Sequence, residues 1–297
     1  MKMIADPIKI HDKLYCLGSP FLPVYLLDGP EPVLFDAGMS FMSEHYQAEI
    51  EKVLGRRSPK YLFLSHMHFD HCGAVGYLKG IYPGLTICSA AIGAETIKKP
   101  SALNLINQLS DFPGLNENQK FKPFTVDRIL EDGEAFILDG GKRIEIIATP
   151  GHTRDMLSFY LPDDKTLIPS EAAGVPAEDN HVYTEFLVDC YSYFQSLEML
   201  STYSFDTILF AHNYIYTGTD ADSFFQTALD HGYHFRDRLS ELLDQYGFDT
   251  DKIGAIIKSE EYDIIQGAKQ PEKAYLINLQ AKIKAVNRWR NTEMVKN

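Results

Sequence analysis

Positive charge is scarce in this chain. Against 41 aspartates and glutamates stand 28 lysines and arginines over 297 residues, a formal net charge of −13. Phosphate backbones demand a positive surface, so the charge argues against nucleic acid and anionic membranes as partners. Cysteine is scarce as well: Cys16, Cys72, Cys88 and Cys190 lie far apart with no CxxC pair. That spacing argues against a disulfide framework or a zinc finger, fits a reducing compartment, and makes the thiols read as small buried hydrophobes. No apolar run reaches the roughly eighteen residues of a membrane span. The first segment, MKMIADPIKIHDKLYCLG, has neither an apolar h-region nor a small-residue cleavage site. A soluble, cytoplasmic protein is expected. Disorder is excluded too, because 45% of the residues are hydrophobic, enough at this length for one large domain or a domain with an appendage.

Short extended runs at Leu14 to Leu17, Val24 to Leu27 and Val33 to Phe35, separated by Gly, Pro and Asp, predict a meander. Ser43 to Leu54 has helical spacing and stops at Gly55, and Tyr61 to Leu64 reads as a buried strand. Further helices are expected at 74–78, 91–98, 103–109 and 191–203, and further strands at 85–88, 134–138, 143–149, 157–161, 166–168 and 207–210. Two strand-rich halves with helices between them indicate a layered α/β sandwich. From about Asp220 the pattern turns helical over 220–246, 250–260 and 271–290, with breaks at Gly247 and at Gln266 to Pro271. The expected organisation is therefore a domain over 1–218 and a helical region over 219–297 that packs on it and is a candidate cap for the pocket.

Histidine is concentrated where the buried strand ends. The stretch YLFLSHMHFDHCG places His66, His68, Asp70 and His71 within six residues, three of the ten histidines in the chain. Alternate side chains of an extended segment share a face, so His66 and His68 leave the strand together, while Asp70 and His71 fall at the turn into the next helix. Imidazole and carboxylate together suit transition metals, two of which need more ligands than these four supply. Further donors stand at strand ends downstream: His152 in PGHT, Glu171 after Pro169 and Ser170, and His212 in FAHNY. Strand ends are where functional residues collect in layered α/β folds.

These motifs resemble those of the metallo-β-lactamase-fold hydrolases, whose HxHxDH signature stands here as HMHFDH, and whose third-histidine motif is matched by PGHT. The resemblance runs over roughly Leu14 to Tyr216. HFDHCG followed by a helix, together with the helical tail, also resembles the quinolone-signal response thioesterase branch. The resemblance implies a four-layer αββα sandwich with a C-terminal helical appendage. It implies one metal held by His66, His68 and His152, another by Asp70, His71 and His212, and Glu171 as a bridge. Two features depart from the family pattern: SEAAG carries Glu171 where an Asp is usual in SGD or GD, and FAHNY replaces a PGHG-like turn.

The activity implied is dinuclear metal-dependent hydrolysis of a small ester-like substrate: a thioester, a lactone or a phosphodiester. A metal pair brings the pKa of a bridging water to about 7, and Asp70 is placed to orient the nucleophile and pass its proton to the leaving group. Two divalent ions are expected, zinc first and iron or manganese as alternatives, because the ligands are nitrogen and oxygen without sulfur. Tyr183, Tyr214 and Tyr216 are candidate oxyanion donors and His181 a candidate substrate contact, while His231 and His234 read as a solvated helix face. The partner is a small molecule, with a second copy of the chain as a candidate for a homodimer. Competing classes are a di-iron redox protein, whose relatives have Glu where His68 stands, and a regulatory protein with incidental hydrolysis. A periplasmic lactamase lacks support without a signal peptide.

Overall fold

The apolar runs ahead of the histidine cluster fold as an antiparallel meander of four strands: β1 (Ile8–His11), β2 (Leu14–Ser19), β3 (Leu22–Leu27) and β4 (Val33–Phe35). A computed structural model describes residues 6–265 and 269–296. It divides the chain into two compact units, one of Met1–Ala148 and Leu157–Asp163, the other of Thr149–Met156 and Asp164–Asn297.

In the first unit the sheet turns parallel after the meander. β4 pairs with β5 (Tyr61–Phe63), β5 with β6 (Thr86–Ser89), and β6 with β7 (Arg128–Ile129), giving seven strands in sequence order. The middle parallel strand is apolar throughout, as a strand covered on both faces requires. Three further strands, β8 (Ala135–Ile137), β9 (Arg143–Ala148) and β10 (Leu157–Leu161), form an antiparallel meander. Phe35, Phe63, Phe136 and Phe159 meet ring to ring at centroid distances between 4.9 and 5.9 Å, and so weld strands of both sets into one core.

Helices of this unit are α1 (Ser43–Leu54), α2 (Phe69–Cys72), α3 (Val75–Ile81), α4 (Ala91–Thr96) and α5 (Pro100–Ser110). α1 buries Tyr46, Ile50 and Leu54 four residues apart on one face, and ends where Gly55 takes a φ of 64°. α5 starts earlier than the apolar spacing predicts because Pro100 sits in its first turn, where a missing N–H costs nothing.

The second unit holds β11 (Thr166–Ile168), β12 (Val175–Pro176), β13 (Val182–Tyr183), β14 (Thr207–Leu209) and β15 (Ile215–Thr217). β11 runs parallel to β14, β14 antiparallel to β15, and β12 with β13 makes a two-stranded ribbon. Its helices are α6 (Cys190–Leu200), α7 (Thr219–Tyr246), α8 (Thr250–Ile257) and α9 (Glu272–Lys296). Asp189 and Asp249 cap α6 and α8 by accepting from Ser192 N and Lys252 N. α7 buries Phe224, Phe225, Ala228, Phe235, Leu239 and Leu242, so its aromatics pack within the unit. Gly247 stops α7 at a φ of 61°, and the helix expected over 250–260 gives way to a π-turn at Lys258–Tyr262. Of the expected break at Gln266 to Pro271, residues 266–268 lie outside the described residues. Among the described residues no helix is long and apolar enough to cross a membrane.

Candidate metal centre

At the carboxyl end of β5 the chain changes from strand to ligand loop. Leu64 N still donates to Cys88 O at 2.9 Å, and His68 then starts the single turn of α2, its carbonyl accepting from His71 N and Cys72 N at 3.0 Å. The loop is stapled to the segment after β4 by Ala37 N to His71 O and Gly73 N to Gly38 O, both 2.8 Å. This folding gathers all four residues of HMHFDH that the sequence singles out. The ring centroids of His66 and His68 are 4.5 Å apart, and those of His66 and His71 4.1 Å. Ligand atoms of His66 and His68, of His66 and His71, and of Asp70 and His71 come within 4.8 Å of each other. Cys72 is wholly buried behind them and packs in the core.

Asp36 organises this set. Its Oδ1 accepts from Ser65 N at 2.8 Å, and its Oδ2 accepts from Ser65 Oγ at 2.8 Å and from His71 Nδ1 at 2.9 Å. With its proton committed to Asp36, Ser65 Oγ accepts from His66 Nδ1 at 3.0 Å. One carboxylate therefore fixes the tautomer of two imidazoles, putting hydrogen on Nδ1 and the lone pair on Nε2. Asp36 adopts a φ of 61° to do so, a conformation that aspartate tolerates better than most residues. Sequence reading missed Asp36, because FDAG after a strand reads as an ordinary turn.

In the second unit the expected ligands stand on three separate segments. His152 lies in the turn PGHT, with Nδ1 donating to Glu185 O at 2.8 Å; a carbonyl can only accept, so this ring too carries its lone pair on Nε2. Gly151 allows that turn. Its φ is 142°, and a Cβ there would sit 2.3 Å from Tyr193 Cα. Glu171 follows β11 on a 3-10 turn, Ser170–Ala173. Its carboxylate accepts from Ser170 Oγ at 2.6 Å through Oε2 and meets His212 Nε2 at 2.9 Å through Oε1. Ser170 and Asn213, beside these two residues, have φ of 50° and 70°. Local strain of this kind collects at functional sites.

Other polar residues of this unit are deeply buried. Glu185 pairs with Lys282 at 2.8 Å, the side chains only 4% and 1% exposed. Burial pushes the Glu185 carboxyl up, against the pull of Lys282. His181 lies 3.4 Å from Glu261, which also accepts from Tyr275 Oη at 2.7 Å. Burial alone would raise Glu261, but the His181 hydrogen bond, the Lys282 charge and Tyr275 outweigh it and hold it below the ordinary carboxyl value. His231, expected on a solvated face, is half-buried and accepts from Val182 N at 3.1 Å, whereas His234 is exposed as expected. Burial raises Tyr183, Tyr214 and Tyr216, which remain hydrogen-bond donors at neutral pH.

The donor chemistry fits divalent metal. Metal-bound histidines characteristically donate their second ring N–H to a carboxylate or backbone carbonyl, and His71 and His152 do so here. Asp70 in the first unit and Glu171 in the second offer carboxylate oxygens of the kind such ions accept.

The family model of the metallo-beta-lactamase superfamily matches residues 23–212. The chain belongs to that superfamily. Solved structures agree in fold: a metallo-beta-lactamase from Legionella gormanii superposes with a TM-score of 0.60 at 24% identity, over 83% of this chain and 99% of that one. A metallo-beta-lactamase family protein from Thermus thermophilus gives 0.62 at 19% identity, over 98% and 93%. The α/β fold of metallo-β-lactamase type with a C-terminal helical region is thereby borne out. Among curated proteins, "Glyoxylase B2" of Dictyostelium discoideum is 30% identical over 110 residues, 37% of this chain and 34% of that protein. A hydroxyacylglutathione hydrolase of Brucella anthropi is 28% identical over 194 residues, 62% of this chain and 58% of that protein. The chain thus spans between a third and three-fifths of these relatives' lengths.

Proposed function

We propose that this chain is a metal-dependent hydrolase of a small ester-type substrate, a thioester before a lactone or a phosphodiester. The observation that carries the reading is the folded HMHFDH motif, with His66 and His71 each turned by the Asp36 and Ser65 hydrogen bonds to present Nε2. Thioester is put first because the chain is similar to a hydroxyacylglutathione hydrolase, whose named substrate joins an acyl group to the sulfur of glutathione.

In this proposal His66, His68 and His152 would hold one divalent ion, and Asp70, His71 and His212 would hold a second, with Glu171 as a further carboxylate ligand. Zinc is the expected metal, iron or manganese the alternatives. When bound, such a pair supplies Lewis acidity and lowers the pKa of water to about 7. Asp70, at the start of α2, orients the attacking water and returns its proton to the leaving group. Asp36, Ser65 and Glu185 keep the imidazoles aimed, so little reorganisation is needed when charge develops. The catalytic residues all fall within 1–218, and 219–297 is assigned a supporting role.

The test is metal content by mass spectrometry and hydrolysis of an S-acylglutathione, a lactone and a phosphodiester, before and after chelation. Thioester cleavage that disappears with the chelator and returns with zinc is expected, together with loss of metal and at least about a hundredfold loss of rate in His68→Ala. A His68→Ala protein that keeps full metal and full rate overturns the assignment.

A further inference from the structure

The turn carrying His152 is held by a neighbouring stretch, residues 185–196. His152 Nδ1 donates to Glu185 O at 2.8 Å, Val188 N and Asp189 N both donate to Gly151 O at 3.0 Å, and Ser196 Oγ donates to Pro150 O at 2.8 Å. That stretch is in turn gripped by α9. Lys282 Nζ reaches Glu185 Oε1 at 2.8 Å, and Arg288 donates to Val188 O at 2.7 Å. Tyr275, two turns before Lys282 on the same face of α9, bonds Glu261. Lys282 Nζ also lies 5.7 Å from the centroid of the Phe235 ring of α7, a second contact that faces the ammonium inward.

A buried ion pair adds little net stability over an apolar pair of the same volume. Its geometric effect differs, because a charge-assisted hydrogen bond fixes where the Glu185 backbone sits as well as its side chain. We propose that Lys282 is a positioning residue for His152. By pinning Glu185, it holds the carbonyl that sets the tautomer and direction of the His152 ring. The proposal rests on the reading of His152 as a metal ligand. It gives the C-terminal helix a task at the centre, though no side chain of α9 need touch substrate.

The experiment uses the full chain, first metal-free and then loaded with zinc or cobalt(II). The first readout is the exchange rate of the His152 Nδ1–H proton by NMR in the metal-free protein. Metal affinity by competition with a chromophoric chelator, the visible absorption of the cobalt form, and the melting temperature complete the set. Lys282→Met is expected to speed exchange of that proton and to weaken metal affinity about tenfold, the lower end for loss of a ligand-orienting partner. Should Lys282→Met fail to fold, the neutral pair Lys282→Met with Glu185→Gln carries the test, because it leaves no unpaired buried charge. It is expected to melt near the parent temperature while the proton still exchanges fast and the metal still binds weakly. Either variant, folded with unchanged exchange and affinity, overturns the proposal. A His152→Ala protein with unchanged affinity and cobalt spectrum overturns the ligand reading instead, and leaves the metal-free NMR result standing on its own.

Discussion

The two sets of proposed ligands are held by opposite means. His66, His68, Asp70 and His71 come from one short stretch, and a single neighbouring carboxylate, Asp36, reaches two of them through side chains. His152, Glu171 and His212 come from three segments, and His152 is aimed by a backbone carbonyl whose own support arrives from a helix 97 residues further on. A compact motif needs one organiser, whereas dispersed ligands need the packing of a whole unit. Substitutions should therefore act locally in the first set and broadly in the second.

The largest effect is expected where the dispersed set has no room to yield. Gly151→Ala places a Cβ against Tyr193 backbone at a φ that L-residues avoid, and should cost about 3 kcal/mol, read as a fall in the denaturant midpoint. A Gly151→Ala protein of parental stability would break the contrast. Next comes Asp36→Ala, which strips the acceptor from Ser65 N, Ser65 Oγ and His71 Nδ1. A loss of about 2 kcal/mol follows from the orphaned donors, with metal affinity measured by chelator competition falling by at least about tenfold.

A smaller, pH-dependent effect belongs to the buried carboxyl groups of the second unit. Glu261 is held below its ordinary value of 4.5, so its contribution to stability is present above that value and is lost as pH falls through the lowered one. Glu185 is raised, so its share has the reverse sign: complete below the ordinary value and lost as pH climbs through the raised one. Glu261→Gln is therefore expected to flatten the acid limb of melting temperature against pH. An unchanged limb would show that other carboxylates govern it. The smallest effect is no reaction at all: burial pushes the Cys16, Cys88 and Cys190 thiols up to about 12. An aromatic disulfide reagent at pH 8 should leave them untouched in the native chain and titrate them only on unfolding.

What the sequence made legible follows the same divide. HMHFDH stood out because its residues are adjacent, α1 and the long α7 announced themselves through period and stop signals, and β10 and β11 through apolar runs between turn residues. β12, β13 and β15, of two or three residues each, are too short to show alternation. β1 was overlooked for a different reason, having no fully buried residue to mark a face. Asp36 was hidden because its role depends on a positive φ and on parallel pairing of β4 with β5. The Glu185–Lys282 pair had no local signal, since its meaning lies in where α9 docks within its unit.

The concentration of three donors on Asp36 has a genetic corollary. Ser65 N, Ser65 Oγ and His71 Nδ1 converge on a carboxylate whose backbone is already in the left-handed region, so a replacement acceptor would have to enter from the same Cα. Defects at position 36 should accordingly find no neighbouring side chain able to replace the acceptor, and a reversion screen for metal binding should return changes at codon 36 ahead of changes in its neighbours.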